Sequence, residues 1–200
     1  MTTLTWPTLT RAAPRVLDWS LVPNTQSFSS PLSGAVRTVE MPGARWKASF
    51  MMENLTEADA ALLQAFLVTL RGRAGRFYLY NFARSAPRGT ASGTPLVKGA
   101  AQTGNTLIID GCAAGVTLLA GDYFAVNGEL KMVVAAATAN GAGEMTLTFE
   151  PPLRASPADN AAVTLDKPTA TFMLATDELK WNTQPGKFSS FPIDCIEAWS

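Results

Sequence analysis

One segment of this chain has the residue pattern of an amphipathic α-helix, and that segment constrains the fold more than any other feature. Thr56 is a suitable N-cap residue, because its hydroxyl can accept a hydrogen bond from the free backbone N–H groups of the first turn. The apolar residues after it recur at helical spacing and predict a single buried stripe, formed by Leu62, Leu63, Phe66, Leu67 and Leu70. The opposite side, with Glu57, Ala60 and Gln64, is polar or small. A helix with one apolar stripe lies against a sheet or groove, so the rest of the chain has to provide that surface.

The helix is followed directly by the sequence RGRAGR, residues 71–76, and then by an aromatic segment. A glycine-rich loop with three arginines suggests a phosphate site, but the spacing matches neither GxxxxGK[ST] nor GxGxxG. Phosphate loops also precede a helix, where backbone N–H groups are free, whereas this loop follows one. We therefore interpret Gly72 as the helix stop and Gly75 as part of a tight exit. Residues 77–80 are then expected to form a strand in which Phe77 and the residue two positions later face the same side.

Before the helix, two alternating stretches predict a β-hairpin. Residues 34–40 and 44–52 each fit a half-buried strand, and the Met-Pro-Gly sequence between them fits a turn. In the second stretch, Trp46 shares one face with the residues two and four positions later. Trp6 and Trp19 lie in proline-flanked stretches that look irregular, and we expect them to anchor the chain to the core.

After a segment of small and turn-forming residues at 83–95, the pattern changes to short strands with no helix between them. Five candidates follow at near-regular spacing: 106–110, 122–126, 129–135, 144–150 and 161–165. Asn127-Gly128, between two of these candidates, is a strong signal for a tight hairpin turn. Such a series is typical of a small all-β barrel.

The combined patterns predict a mainly β fold. Residues 1–92 together with 167–200 are expected to form a β-sandwich-type domain with one packed α-helix. Residues 93–166 are expected to form a small all-β barrel inserted into it. An insertion at this point leaves the core of the host domain intact, so it can be accommodated.

The composition argues against catalysis. The 200 residues contain no His, the commonest general base and metal ligand, which excludes hydrolases built on a Ser-His or Cys-His pair. Cys112 and Cys195 form no CxxC pair and are expected to be buried, reduced thiols. Asp110 and Asp122 are interpreted as residues at strand ends, and not as an acid/base pair. We therefore expect no catalytic residue, no cofactor and no metal.

The charge balance argues against specific nucleic-acid binding, because 16 basic and 16 acidic residues leave no net charge. Only 16% of the residues are charged, against about 25% in typical proteins, which suggests a surface partly covered by other subunits. There is no secretory signal and no apolar run long enough for a membrane span, so we expect a cytoplasmic protein. Trp46, Tyr78 and Tyr80 are interpreted as core or interface aromatics, although they could stack against a sugar or a base. One local concentration of positive charge is formed by Arg71, Arg73, Arg76, Arg84 and Arg88.

Residues 45–82, RWKASFMMENLTEADAALLQAFLVTLRGRAGRFYLYNF, resemble a segment of phage tail-tip proteins. There an aromatic-bearing strand leads into a capped helix, a short glycine-rich turn and a phenylalanine-rich strand. The closing sequence FPIDCIEAW looks like the last strand of that domain, and residues 97–168 are similar to a barrel module of long-tailed phages. The family is that of the distal tail proteins, or minor tail-tip proteins, of siphovirus-type bacteriophages. The positions that carry the shared pattern are Trp46, Leu62, Phe66, Leu70, Gly72, Gly75 and Phe77.

The resemblance implies a structural virion protein of the tail tip or baseplate, assembled in the host cytoplasm. Members of the family form a ring, commonly of six copies, that joins the tail tube to the hub and the receptor-binding apparatus. The implied partners are further copies of the chain, the tail tube protein, the hub or tail-tip proteins, and tail fibres. The family offers no catalytic residues to carry over. The alternative function is a carbohydrate-binding module that reads sugars with the inserted barrel.

Overall fold

The computed structural model describes residues 2–11 and 13–199. The fold is mainly β, with one α-helix among these residues and a small, nearly closed barrel, as the sequence predicts. The helix α1 spans Glu57–Leu70, and short 3₁₀ turns span Gly72–Ala74 and Phe82–Arg84. The strands, in chain order, are β1 (Leu4–Thr5), β2 (Val16–Ser29), β3 (Val36–Leu55), β4 (Phe77–Tyr80), β5 (Leu96–Val97), β6 (Thr106–Asp110), β7 (Thr117–Leu118), β8 (Tyr123–Val126), β9 (Glu129–Ala135), β10 (Ala137–Thr138), β11 (Met145–Glu150), β12 (Val163–Thr164), β13 (Thr169–Leu174), β14 (Asn182–Gln184) and β15 (Phe188–Glu197).

Apart from β7 and β10, which pair as a two-stranded sheet of their own, the strands form two large sheets. The first has the order β1-β4-β13-β15-β3-β2, with β14 paired to β15, and all its contacts are antiparallel except β1 with β4. The second has the order β12-β8-β9-β11-β6-β5 and is nearly closed by a bridge between Leu96 and Ala162. Residues 93–166 contain all six strands of the second sheet, and we call this segment the insert. The chain leaves the first sheet at β4 and returns to it at β13. These two strands pair with each other, so the insert starts and ends at neighbouring strands.

The predicted strands of the insert are confirmed. Each is a short alternating run, and the turn residues on either side define where it ends. The strand predicted at 106–110 is present with those limits, and the one predicted at 129–135 likewise. Asn127 and Gly128 adopt positive φ angles of 52° and 75° and connect β8 to β9 in a tight hairpin. A turn with two positive φ angles matches the twist of the strands that it joins, which is why Asn-Gly is favoured there.

The hairpin predicted from residues 34–40 and 44–52 is wrong. Residues 36–40 and 44–52 belong to the single strand β3, whose partner is β2, and the actual turn lies at residues 30–35. The Pro-Gly sequence produces an irregularity within the strand pair and no reversal of the chain. Asn24 stabilises this irregularity, since its side-chain Nδ2 donates to the Pro42 carbonyl at 2.9 Å. Strand β2 was missed because its Pro, Ser and Thr content looks irregular.

Helix α1 packs against the first sheet with a face that differs from the predicted stripe. The N-cap is confirmed, because the Thr56 hydroxyl accepts from the Asp59 N–H at 3.3 Å. Leu62, however, is 54% exposed and Phe66 is only half-buried, whereas Ala60 is buried. The buried face extends toward the amino-terminal segment, where the Asp59 carboxylate accepts from the Thr10 N–H at 3.1 Å. Residues that face the core are Asp59, Ala60, Leu63, Leu67 and Leu70.

Tryptophans anchor the outer segments to the core, as expected. The Trp6 ring lies within 5.9 Å of the ring centres of Phe50, Phe66, Phe77 and Phe82. Edge-to-face aromatic contacts of this kind add to the stabilisation from buried area. Trp19 contributes similarly, but from strand β2 and not from an irregular stretch.

The exit from α1 is tight because backbone atoms occupy the space that side chains would need. Arg71, and not Gly72, is the left-handed cap, with a φ of 53°, and Gly72 follows with a φ of 64°. A Cβ atom on Gly75 would lie 2.5 Å from the Leu70 carbonyl oxygen. Arg76 stabilises the corner, since its Nη1 donates to three successive carbonyls that end at Gly75. The corner is therefore packed with protein atoms.

Replacing Gly75 with alanine is expected to lower the free energy of unfolding by about 3 kcal/mol, because the added methyl overlaps backbone atoms. The matched control is Gly141→Ala, where nothing lies within 4 Å of the new Cβ, and the change should be within about 0.5 kcal/mol. Urea denaturation followed by circular dichroism measures both. Equal stability of the two variants would contradict the account of the corner.

The two thiols differ, which corrects the expectation that both are buried. Cys195 is fully buried on β15, whereas Cys112 is only half-buried; both are free. Burial raises the pKa of both thiols, far more strongly for Cys195.

At pH 8, a disulfide reagent is expected to modify Cys112 more than about tenfold faster than Cys195 in the native chain. Reaction requires an accessible thiolate, and each unit of raised pKa reduces the thiolate fraction about tenfold. Absorbance of the released thiolate follows both phases, and the variant Cys112→Ser should lack the fast one. Equal rates for the two thiols would show that Cys195 is not enclosed.

Candidate interaction surface

Strands β2 and β3 extend beyond the first sheet as a two-stranded ribbon, residues 22–41, which we call the arm. Every residue of 22–29 and 31–41 is exposed. β15, the other neighbour of β3, pairs only with residues 47–55, so the arm has no further strand beside it among the described residues. An isolated two-stranded ribbon is marginally stable in water, so the arm is expected to gain stability from a partner.

The arm is amphipathic, because residues directly opposite each other in an antiparallel pair share a face. One face carries the pairs Asn24–Met41, Gln26–Val39 and Phe28–Arg37, and the other carries Thr25–Glu40, Ser27–Thr38 and Ser29–Val36. On the first face, Phe28 is 60% exposed and Val39 52%. Full burial of a large apolar side chain contributes about 2 kcal/mol. The first face, which we call the apolar face, is therefore a surface that a partner could cover favourably.

A groove of about 1010 Å³ lies at the root of the arm, between the first sheet and the insert. Its apolar lining comes from both sides and includes Met41, Pro42, Pro152, Leu153, Ile196 and Trp199. Its charged lining consists of Glu40, Arg45, Glu150 and Arg154. A concave surface that combines apolar side chains with a few charged groups is typical of binding sites in proteins.

Trp46 and Glu197 hold the two walls of the groove together. Trp46 is buried, and its indole Nε1 donates to the Leu130 carbonyl of the insert at 2.8 Å. Its backbone N–H donates to Glu197 Oε2 at 3.0 Å, and Arg154 Nη2 of the insert binds the same oxygen at 2.8 Å. One buried carboxylate oxygen thus receives one donor from the first sheet and one from the insert. We call this contact region, formed by Trp46, Glu197, Leu130 and Arg154, the joint.

Trp199 closes the joint on the groove side. The guanidinium groups of Arg45 and Arg154 lie 4.2 and 3.9 Å from its ring centres, within the range of cation–π attraction. Arg154 also donates to the Ala44 carbonyl at 3.2 Å. Two guanidinium groups lie over the Trp199 ring, so the ring offers no free face for stacking, although 40% of the residue remains exposed.

A second buried ion pair orders the insert beneath the groove. Lys131 is fully buried, and its Nζ lies 2.6 Å from Glu129 Oε2 and 2.7 Å from the Pro152 carbonyl. The Glu129 carboxylate also accepts from the Arg154 N–H at 3.1 Å. Burial lowers the pKa of the Lys131 ammonium, and the hydrogen bond and charge of Glu129 act in the opposite direction. These contacts fix the backbone that forms one wall of the groove.

The positions named from the sequence pattern lie elsewhere in the fold. Leu70, Gly72, Gly75 and Phe77 are buried at the corner, Phe66 is half-buried and Leu62 is exposed, and none of them lines the groove. Trp46 is buried in the joint, so its ring cannot stack against a ligand.

The two aspartates considered as an acid/base pair have structural positions at strand ends. Asp122 is buried and accepts hydrogen bonds from the backbone N–H groups of Arg88, Gly89 and Leu119. Asp110 is the last residue of β6. Asp122 therefore secures the segment that enters the insert.

Sequence reasoning missed the buried charges of the joint. In β15, the alternation that buries Phe191, Ile193 and Cys195 continues to Glu197, so a carboxylate was placed on the core face. Lys131 similarly interrupts an apolar strand. A charge at a core position of a strand was the available signal, since such charges are rarely buried unless paired.

Among residues 2–11 and 13–199, no three His, Cys, Asp or Glu side chains are grouped as metal ligands. No helix in the same ranges has the length and hydropathy needed to cross a membrane. Comparison with models of known protein families and with curated proteins found no match to this chain.

Replacing Glu197 with alanine is expected to lower the free energy of unfolding by about 3 kcal/mol, because it leaves the Arg154 cation without its partner. The control is Asp194→Ala, an exposed acidic residue on the same strand, with an expected change of about 0.5 kcal/mol or less. Urea denaturation measures both. Similar losses for the two variants would show that the joint does not depend on Glu197.

Proposed function

We propose that this chain is a structural protein of a phage tail tip. Six copies of the chain assemble into a ring, and this ring joins the tail tube to the hub and the receptor-binding apparatus. The observation that carries the self-assembly is the arm, residues 22–41, whose apolar face is open to solvent. The assignment to the tail tip rests on the sequence resemblance of residues 45–82.

Self-assembly is the use of the arm that agrees best with the rest of the chain. A monomeric protein rarely leaves a projecting apolar surface uncovered, because burying that surface is favourable. The low fraction of charged residues, 16%, also suits a protein with much of its surface in contact with other subunits. A ring needs two different surfaces on each copy, and the arm supplies one of them.

The partners in this proposal are the tail tube protein, the hub or tail-tip proteins, and tail fibres attached through the insert. No observation favours the alternative of a carbohydrate-binding module. Sugar rings stack on exposed aromatic side chains, but the aromatic residues of the insert, Tyr123, Phe124 and Phe149, are all buried.

The purified full-length chain is expected to sediment as a multimer in analytical ultracentrifugation. Electron microscopy of the same sample should give closed rings with rotational symmetry. Labelling of intact phage particles with an antibody to the chain should place it at the end of the tail. A strictly monomeric chain, or label absent from the tail tip, would overturn the proposal.

Acidic residues on the apolar face of the arm are expected to prevent assembly. In Phe28→Asp/Val39→Asp, each substituted side chain would be desolvated at the contact, so we expect a monomer with an unchanged circular dichroism spectrum. The matched control is Ser27→Asp/Thr38→Asp, a cross-strand pair on the opposite face with the same added charge. If the control were equally monomeric, charge and not the apolar face would explain the effect.

A further inference from the structure

We infer that the arm of one copy lies in the groove of the next copy, with its apolar face against the wall formed by Pro152, Leu153 and Trp199. This inference rests on the proposed self-assembly and names the surface that receives the arm. It makes the contact heterologous, because the two copies use different surfaces.

An arm does not fill the groove of its own chain. The lining includes the root of the arm, at Val22–Asn24 and Glu40–Met41, but none of residues 25–39. The outer part of the arm therefore leaves the groove and stays exposed. Each copy presents an arm with an exposed apolar face and a partly apolar groove, and no other described residues cover either surface.

The charges of the two surfaces are complementary. Arg37, next to Phe28 on the apolar face, has no ion-pair partner within the described residues. In the groove, Arg154 is neutralised by Glu197, and neither Glu40 nor Glu150 forms an ion pair within the same ranges. With Arg45 over the Trp199 ring, the groove has two carboxylates for one unpaired guanidinium. On the apolar face of the arm Arg37 is the only charged residue, because Glu40 lies on the opposite face, so this face suits the excess of negative charge.

The length of the arm and the placement of the groove are suited to a ring. Residues 24–29 alone span about 20 Å in an extended strand, which is enough to cross from one copy to the surface of a neighbour. Because the groove lies at the root of the arm, a copy that receives an arm also extends its own arm onward. Repetition of such a head-to-tail contact closes into a ring when the rotation between copies allows it.

The test mixes two variants of the full chain. One variant has an altered arm and an intact groove, and the other has an intact arm and an altered groove. The arm variant is Phe28→Asp/Val39→Asp, and the groove variant is Ala44→Trp, which places a large side chain at a lining position. Each variant alone is expected to be monomeric by analytical ultracentrifugation. A one-to-one mixture should form dimers that contain both variants and no rings, because one intact arm meets one intact groove. Formation of the mixed dimer also shows that both variants are folded.

Two results would overturn the inference while leaving the proposed ring in place. One is normal ring formation by the groove variant, which would mean that arms pair with each other or bind elsewhere. The other is a mixture that stays monomeric although both variants have native circular dichroism spectra. If Ala44→Trp does not fold, Glu150→Lys replaces it, with an expected increase of about tenfold in the concentration needed for half-assembly. An unchanged assembly concentration for Glu150→Lys would count against the groove as the receiving surface.

Discussion

The buried carboxylate of Glu197 is the interaction on which the arrangement of the two sheets depends. One of its oxygens receives the backbone N–H of Trp46 from the first sheet and the guanidinium of Arg154 from the insert. A buried charge is costly unless it is paired and hydrogen-bonded, so this carboxylate favours the one arrangement in which both donors reach it. The groove exists because its two walls are held in this arrangement.

The arm has the opposite character, because within residues 2–11 and 13–199 no further strand pairs with it. Its strands are hydrogen-bonded to each other, but its apolar face contacts solvent and its root is irregular near Asn24 and Pro42. The rigid joint and the exposed arm therefore complement each other in the proposed assembly. A receiving surface has to be held in shape before binding, whereas a ribbon can acquire order from the surface that covers it.

Local patterns predicted the parts of the fold that depend on neighbouring residues. The strands of the insert and its Asn-Gly turn follow from alternation and turn chemistry, and the N-cap at Thr56 follows from a single side chain. The predictions failed where distant contacts decided the outcome. Leu62 is exposed because the amino-terminal segment binds Asp59 and the helix presents a different face to the core. Residues 36–52 form part of one strand because β2, which precedes them, pairs with residues 36–41 and 45–51, as far as the pair of Val16 with Met51.

The residue pattern alone predicted a mainly β chain, an amphipathic helix and a glycine-rich corner after that helix. These features depend on side-chain periodicity and on the φ angles that Asn and Gly tolerate, which are properties of short segments. Three features follow from the complete fold and not from any local pattern: the ion pair of Arg154 with Glu197, the groove beside it, and the projection of residues 22–41 beyond the strand β15. Such contacts join residues far apart in the chain, and their geometry depends on how complete sheets pack, which no local pattern encodes.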